Sequence, residues 1–271
     1  MIMNEGERLI KVVVCAPVKE YFDVVDPRAH NITKTADKRR AIEQHDHLCS
    51  ILQDNGVEVL CIPELKDHPN SVFTRDTCVC TSQGFIQMRM GLSSRQGEEV
   101  WMAEILKETG MEQHGGIRDP GTLEGGDVIL AGDVVFVGRS KRSNSDGVDQ
   151  LRRLFEEIDR EVRIADVPQP RLHIGGMMSM IGPRRILCCQ DLFPGDFFKG
   201  FPTIPVPAEN FVSGNVICLG ENKVIAEKSN TTAIDCLEKA GVYVHAIDLS
   251  EFIKGRGGPT CLLMPVKRAH G

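Results

Sequence analysis

The segment GRGGPTCLLMP, residues 255–265, carries Cys261 out of a glycine-rich turn and into an apolar run. A thiol there, at the first position of an expected strand, stands on rigid backbone and faces a loop, which suits a nucleophile. The same position suits a small core residue, because free cysteine is among the most buried residue types. Three other stretches set a reactive group just before an apolar run. HPNSVFTRDT holds Asn70 and Asp76, DPGTLEGGDV holds Glu124 and Asp127, and PRLHIGGMMSM holds His173. Taken singly, each has a plain structural reading. Asp76 can pair with Arg75 or cap a turn, Glu124 can be a turn residue, and His173 can be a satisfied strand residue. Taken together, a thiol, an imidazole and two carboxylates at corresponding places are the parts of covalent catalysis by nucleophile, base and orienting group. Gly125–Gly126 and Gly175–Gly176 lie just beyond Glu124 and His173. Glycine at such places lets backbone or ligand approach closely.

The correspondence comes from a repeat. TCVCTSQGFIQMRM, GDVILAGDVVFVG, MMSMIGPRRILCC and GNVICLGENKVIAEK each read as a β-hairpin. Their turn glycines, Gly84, Gly132, Gly182 and Gly220, are spaced 48, 50 and 38 residues apart. Three hairpins are followed by stretches with helical spacing, GEEVWMAEILKETG, GVDQLRRLFEEIDRE and NTTAIDCLEKAG. In the second, Leu151, Leu154, Phe155 and Ile158 fall on one helical face. A single apolar run then follows, weakly in GMEQHGGI and clearly in VRIADVP and VYVHAID, so the unit is ββαβ. The chain opens with a strand, a helix and a strand, and closes with the lone run TCLLMPV. If the last strand pairs with the first, the termini complete a fifth unit and the ring closes. Loops from every unit then line the centre, where residues distant in sequence can meet.

The totals limit the alternatives. A chain of 271 residues can form one domain over its whole length, 1–271, with a sizeable core. Its 41% hydrophobic and 26% charged residues are those of an ordinary soluble globule. A net charge of −6 gives no electrostatic footprint for nucleic acid or an anionic membrane. No apolar run approaches the ~20 residues that span a bilayer, and MIMNEGERLIK has no signal-peptide pattern, so a cytoplasmic location is expected. Most of the ten cysteines lie inside apolar runs and read as reduced core residues. Cys78 with Cys80, and Cys188 with Cys189, lack the spacing of a zinc site, so no metal is expected.

In this order, FTRD, LEGGDV, VFVGRSKRSN, LHIGGMMS and GGPTC resemble the motifs of the guanidino-group-modifying superfamily. That superfamily includes arginine deiminase, dimethylarginine dimethylaminohydrolase, agmatine deiminase and the amidinotransferases. The resemblance runs from about residue 10 to residue 266. It implies an α+β fold, the pentein, a five-bladed pseudo-symmetric ββαβ propeller. It implies that Cys261 is the nucleophile and His173 the general acid and base. Glu124 then orients the imidazole and holds the guanidinium, and Asp76 grips the guanidinium as well. Asn70 matches a deiminase residue at the amino-acid end of the substrate. Phe73 belongs to the same substrate-binding set, and Arg95 and Arg142 are matched to the substrate carboxylate. At Gly175 the arginine deiminases carry an Asp; its absence is shared with the dimethylarginine enzyme, whereas FTRD is nearer the deiminases.

The implied chemistry fits these residue types. A carboxylate accepts two N–H bonds from a planar guanidinium and prefers that fork to a compact ammonium. Only the thiolate attacks well. A free thiol of pKa ~8.5 is mostly protonated at neutral pH, and nearby acids raise it further. The bound cation or an imidazolium at His173 is therefore expected to favour the thiolate. The expected reaction is hydrolysis of the guanidino C–N bond of arginine or an Nω-substituted arginine through a thiouronium on Cys261. It gives citrulline and ammonia or an alkylamine, with no cofactor. An amidinotransferase would share that intermediate, and a non-catalytic pentein binding module would not need these residues. The expected partner is a small guanidino amino acid, with neither nucleic acid nor membrane; the chain's size is compatible with a homo-oligomer.

Overall fold

Residues 2–269 are described by a computed structural model. The apolar runs become five three-stranded sheets with one recurring order. In chain order the elements begin with β1 (Leu9–Cys15), α1 (Lys38–Asp54) and β2 (Glu58–Ile62). The next unit is β3 (Cys78–Thr81), β4 (Gly84–Gln87), α2 (Glu98–Glu108) and β5 (Gln113–Gly116). It is followed by β6 (Val128–Ala131), β7 (Val134–Arg139), α3 (Ser145–Glu156) and β8 (Glu161–Asp166). Then come β9 (Met178–Gly182), β10 (Arg185–Cys188) and β11 (Thr203–Pro205). The last unit is β12 (Val216–Gly220), β13 (Lys223–Glu227), α4 (Thr231–Lys239) and β14 (Tyr243–Ile247). A short α5 (Ser250–Ile253) leads to β15 (Leu263–Arg268).

Four of the sheets join an antiparallel hairpin to a third, parallel strand. A parallel neighbour needs a crossover, and α1 to α4 supply four of them. In α3, Asn144 caps the start by accepting from the Gly147 N–H, and Leu151 and Phe155 turn their buried face to the sheet. The fourth crossover differs. Residues 189–202 hold no α-helix, because Pro194, Gly195 and Gly200 interrupt the run. Phe193, Phe197 and Phe198 cover that blade instead, with Phe197 5.1 Å from Phe136 between ring centroids.

The termini complete the fifth unit as the repeat requires. β15 pairs antiparallel with β1, Val13 opposite Met264, and β2 lies parallel on the other side. The result is the five-bladed pentein propeller. One local expectation is corrected. Cys261 does not open the strand; it lies in a 3-10 turn, Pro259–Leu262, before β15. Pro259 fixes the start of that turn, as proline does at a first helical position.

Similar turns precede three other inner strands. Thr74–Asp76 comes just before β3, Gly125–Asp127 before β6 and Ile174–Gly176 before β9. The Gly125–Asp127 turn touches those at Thr74–Asp76 and Ile174–Gly176, and Thr74–Asp76 also touches Pro259–Leu262. The repeat thus gathers its strand entrances at the hub. Among the described residues no helix is long and apolar enough to cross a membrane.

Close packing at these entrances leaves little room. A Cβ on Gly214 would stand 2.2 Å from the carbonyl carbon of Met177. Gly214→Ala should therefore destabilise the protein by about 3 kcal/mol, a fall of roughly 6–12 °C in Tm. A thermal denaturation midpoint equal to that of the parent chain would disprove this close approach.

Candidate active site

The four turns present their chemistry to a common space. Asp76, His173 and Cys261 line a cavity together with Asn70, Phe73, Arg95 and Arg142. Glu124 lies behind His173, fully buried. Every residue singled out as a candidate is thus at this site, although not every side chain points as expected.

Glu124 is the most heavily engaged. His173 Nε2 lies 2.8 Å from its Oε2. The backbone N–H groups of Gly91 and Leu92 donate to Oε1 at 3.0 and 3.4 Å. Arg142 Nη1 lies 3.1 and 3.2 Å from the two oxygens. Burial by itself would raise this carboxyl's pKa. The His173 hydrogen bond and the charges of Arg142, His173 and Arg95 outweigh it and hold the group well below the usual carboxylate range. With both oxygens occupied by protein donors, Glu124 is placed to orient His173. The open carboxylate oxygen belongs to Asp76.

Asp76 Oδ2 accepts from Arg95 Nη1 at 2.5 Å. Its Oδ1 is buried, has no hydrogen-bond partner among the described residues, and lies 3.7 Å from His173 Nδ1. A buried acceptor without a donor is costly, so this oxygen marks where an N–H of a ligand fits.

Arg95 differs from its expected role. It is 3% exposed, and its donors are spent inside the protein. Nε and Nη2 donate to Glu98 Oε2 at 2.9 and 2.7 Å, and Nη2 also donates to the Phe73 carbonyl at 2.9 Å. Glu98, fully buried at the start of α2, is a carboxylate that cannot stay uncompensated there. In the sequence it is one residue of the helical stretch GEEVWMAEILKETG, with nothing to mark it out. Phe73 packs on the turn that carries Cys261, since a Cβ on Gly257 would stand 2.0 Å from its Cε1. Asn70 donates to the His30 carbonyl at 2.8 Å, and its Oδ1 is buried without a partner among the described residues.

Two supporting residues were not assigned from the sequence. Asp127 accepts from the hydroxyls of Ser140 and Ser143, both at 2.6 Å, and from the Ile174 N–H at 2.8 Å, which pins the backbone after His173. Asn215 stands at the fifth strand entrance. Its amide donates to the Gly175 carbonyl at 2.7 Å and to Thr260 Oγ1 at 2.6 Å, and its oxygen accepts from the Thr260 N–H. It therefore ties the His173 turn to the Cys261 turn. The repeat itself was the signal that could have found it.

Electrostatics set the protonation states. Burial, and next Asp76, push the Cys261 thiol up to about 12; the Gly258 N–H, Arg95 and Arg75 oppose them. That N–H reaches the sulfur at 3.4 Å. Burial would lower the His173 pKa, but Asp76, Asp127 and the hydrogen bond and charge of Glu124 raise it to about 9. At neutral pH the pair is a thiol beside an imidazolium. Asp76, Glu124 and His173 also offer ligand atoms within 4.8 Å of one another, a set that could hold a cation in competition with Arg95 and Arg142.

The chain matches the family model described as N,N dimethylarginine dimethylhydrolase, eukaryotic, over residues 25–268. It is 30% identical to an N(G),N(G)-dimethylarginine dimethylaminohydrolase from Streptomyces coelicolor, covering 89% of this chain and 92% of the relative. It is 29% identical to the enzyme of that name from Pseudomonas aeruginosa, covering 83% and 88%. A crystal structure of a dimethylarginine dimethylaminohydrolase adduct with S-methyl-L-thiocitrulline superposes with a TM-score of 0.83 at 25% identity, over 94% of this chain and 99% of the other.

Two expectations follow from the charges. Because Asp76 raises the thiol, Asp76→Asn should speed alkylation of Cys261 by iodoacetamide at pH 8 several-fold, followed on the Cys261 peptide by mass spectrometry. A slower or equal rate would contradict this electrostatic account. His173 is raised to about 9 in the fold, against about 6.5 when unfolded. Its stabilising contribution is therefore full below pH ~6.5 and is lost as pH rises towards 9, with a slope of up to about 1.4 kcal/mol per pH unit. The difference in unfolding free energy between the parent chain and His173→Gln should shrink across that window. A flat difference would mean a neutral imidazole throughout.

Proposed function

The chain belongs to the dimethylarginine dimethylaminohydrolase family and is a hydrolase of C–N bonds in linear amidines, and from that premise we propose that it converts an Nω-methylated arginine to citrulline and a methylamine. The observation that carries this reading is the open Asp76 Oδ1, 3.7 Å from His173 Nδ1, in a cavity that Cys261 shares. A guanidinium N–H satisfies that oxygen, and the nitrogen beside it faces the imidazole. The adjoining wall is Gly126 and Gly175, which bring no side-chain acceptor for the N–H groups of an unsubstituted nitrogen. This favours a methylated nitrogen.

The steps follow from the charges. The bound cation offsets Asp76, which is the charge that raises the thiol after burial. The thiol proton passes to solvent and the thiolate adds to the central carbon from its face. His173 gives the Nδ1 proton to the methylated nitrogen, the C–N bond breaks, and a thiouronium stays on Cys261. Glu124, bonded to Nε2, keeps Nδ1 turned to the reaction. The neutral imidazole then takes a proton from water, whose oxygen adds to the same carbon. The C–S bond breaks, the sulfur is protonated again, and citrulline leaves. One group serves as acid and then as base, as its raised pKa and the approach of the substrate cation permit. Arg142 and Asn70 border the same cavity and suit the carboxylate and ammonium of an amino acid.

Cys261→Ser should abolish citrulline formation from Nω-methyl-L-arginine, with a thermal midpoint close to the parent's. Turnover retained in that variant would end the nucleophile assignment. In His173→Ala the covalent intermediate should form slowly, for want of the acid that protonates the leaving nitrogen, and then accumulate as an added mass on the intact protein; rapid hydrolysis without an adduct would remove His173 from the second half-reaction.

A further inference from the structure

Two cavities meet at the thiol and the imidazole. Besides the polar one, a larger cavity has Cys261 and His173 in its wall and extends to Arg75 and Arg268. Gly126 lines it at the point where the reaction divides the substrate. A Cβ there would stand 2.6 Å from Asp76 Oδ1 and 2.7 Å from His173 Nδ1. The group that grips the guanidinium and the group that protonates the departing nitrogen therefore converge over the border of the larger cavity.

Beyond that border the wall is largely apolar, with Ile129, Met180, Val212, Ile217 and Leu263 in it. Ile129 Cδ1 comes within 4.0 Å of where a Cβ on Gly175 would be, two residues from His173. The polar groups in this wall already satisfy one another. Asn215 bonds to Gly175 and Thr260. Ser179 donates to the Gly214 carbonyl at 2.8 Å and accepts from the Val216 N–H at 3.1 Å. Most of the charged donors are engaged as well. Arg75 pairs with Glu5 at 2.6 Å, and Arg256 donates to the Pro170 carbonyl at 2.6 Å. Arg268, at the end of β15 remote from Cys261, donates from Nη1 to the carbonyls of Glu7 and Cys218, and its buried Nε has no partner among the described residues. An occupant next to His173 needs no hydrogen bonds and gains from being apolar.

We infer that this hub cavity is the subsite for the substituent on the departing nitrogen, and that it takes unbranched Nω-alkyl groups longer than methyl, up to butyl. The inference rests on the proposed hydrolysis of Nω-substituted arginine. The bonds balance as for the methyl compound: sulfur adds to carbon, the C–N(alkyl) bond breaks, His173 supplies the amine's proton, and water supplies the oxygen of citrulline.

The test compares kcat/KM for Nω-butyl-L-arginine and Nω-methyl-L-arginine by citrulline release. Each buried methylene favours the longer chain by roughly fourfold, so the butyl compound should be turned over at least as efficiently as the methyl compound. A lower kcat/KM for the butyl compound overturns the inference and leaves methylarginine hydrolysis standing. Citrulline from neither compound removes the proposed function, and this inference with it. Ile129→Trp and Ile217→Trp fill the cavity and should each lower the butyl-to-methyl ratio at least tenfold. The ratio is read within one preparation, so a partial loss of folded protein cancels. An unchanged ratio in both variants overturns the assignment.

Discussion

A carboxylate with no exposed surface constrains the whole hub. Removing such a charge from water costs several kcal/mol unless donors replace the water around it. Glu124 obtains them from three separate segments: the imidazole of His173, the guanidinium of Arg142, and the backbone N–H groups of Gly91 and Leu92; its own N–H is held by Ser143, beside Arg142. No local structure could bring these together. The closed ring does, because it turns the entrance of each repeat towards one point. The contact that makes Glu124 tolerable in the interior is also the contact that fixes which nitrogen of His173 is free.

The same acids that hold the site together restrain the thiol proposed as its nucleophile. Asp76 raises both the thiol and the imidazole, and burial raises the thiol more. Cys15, Cys78 and Cys80 are likewise pushed up by burial, so a high pKa does not by itself distinguish Cys261. What distinguishes it is a neighbouring charge that a ligand can offset. A cationic planar substrate removes the penalty that a neutral or anionic molecule would leave in place. Reactivity is thereby tied to recognition, and an otherwise inert thiol becomes a selective one.

Much of this arrangement was legible in the chain. The hairpin turns at Gly84, Gly132 and Gly220 stand out because each adopts positive φ, and the helix at 145–156 is written in its apolar face. Once the units were aligned, the polar residue at each entrance marked the site. The unread parts depend on burial. Nothing local says that Glu98 is fully enclosed and so captures Arg95, or that Arg142 reaches Glu124. Cys261 was displaced by a few residues from its expected strand because a proline-led turn and an apolar run look alike from outside. Asn215 was overlooked although it occupies an entrance, since an amide suggests no chemistry until its two neighbouring turns are seen to need a tie.

A reaction that cuts one molecule into two pieces benefits from a site with two differently furnished sides. The polar cavity has arginines, an aspartate and two asparagines, groups suited to the piece proposed to stay attached to sulfur. The hub cavity has a largely apolar wall whose polar atoms near His173 are already paired, suited to the piece that departs. The two meet at His173 and Cys261, the residues proposed to act on the bond between the pieces. A propeller offers this division without further elements: the loops on one face build the first side, and the inner strands that run down the hub build the second. The geometry that gathers distant residues into one catalytic cluster therefore also provides somewhere for the leaving nitrogen's substituent to go.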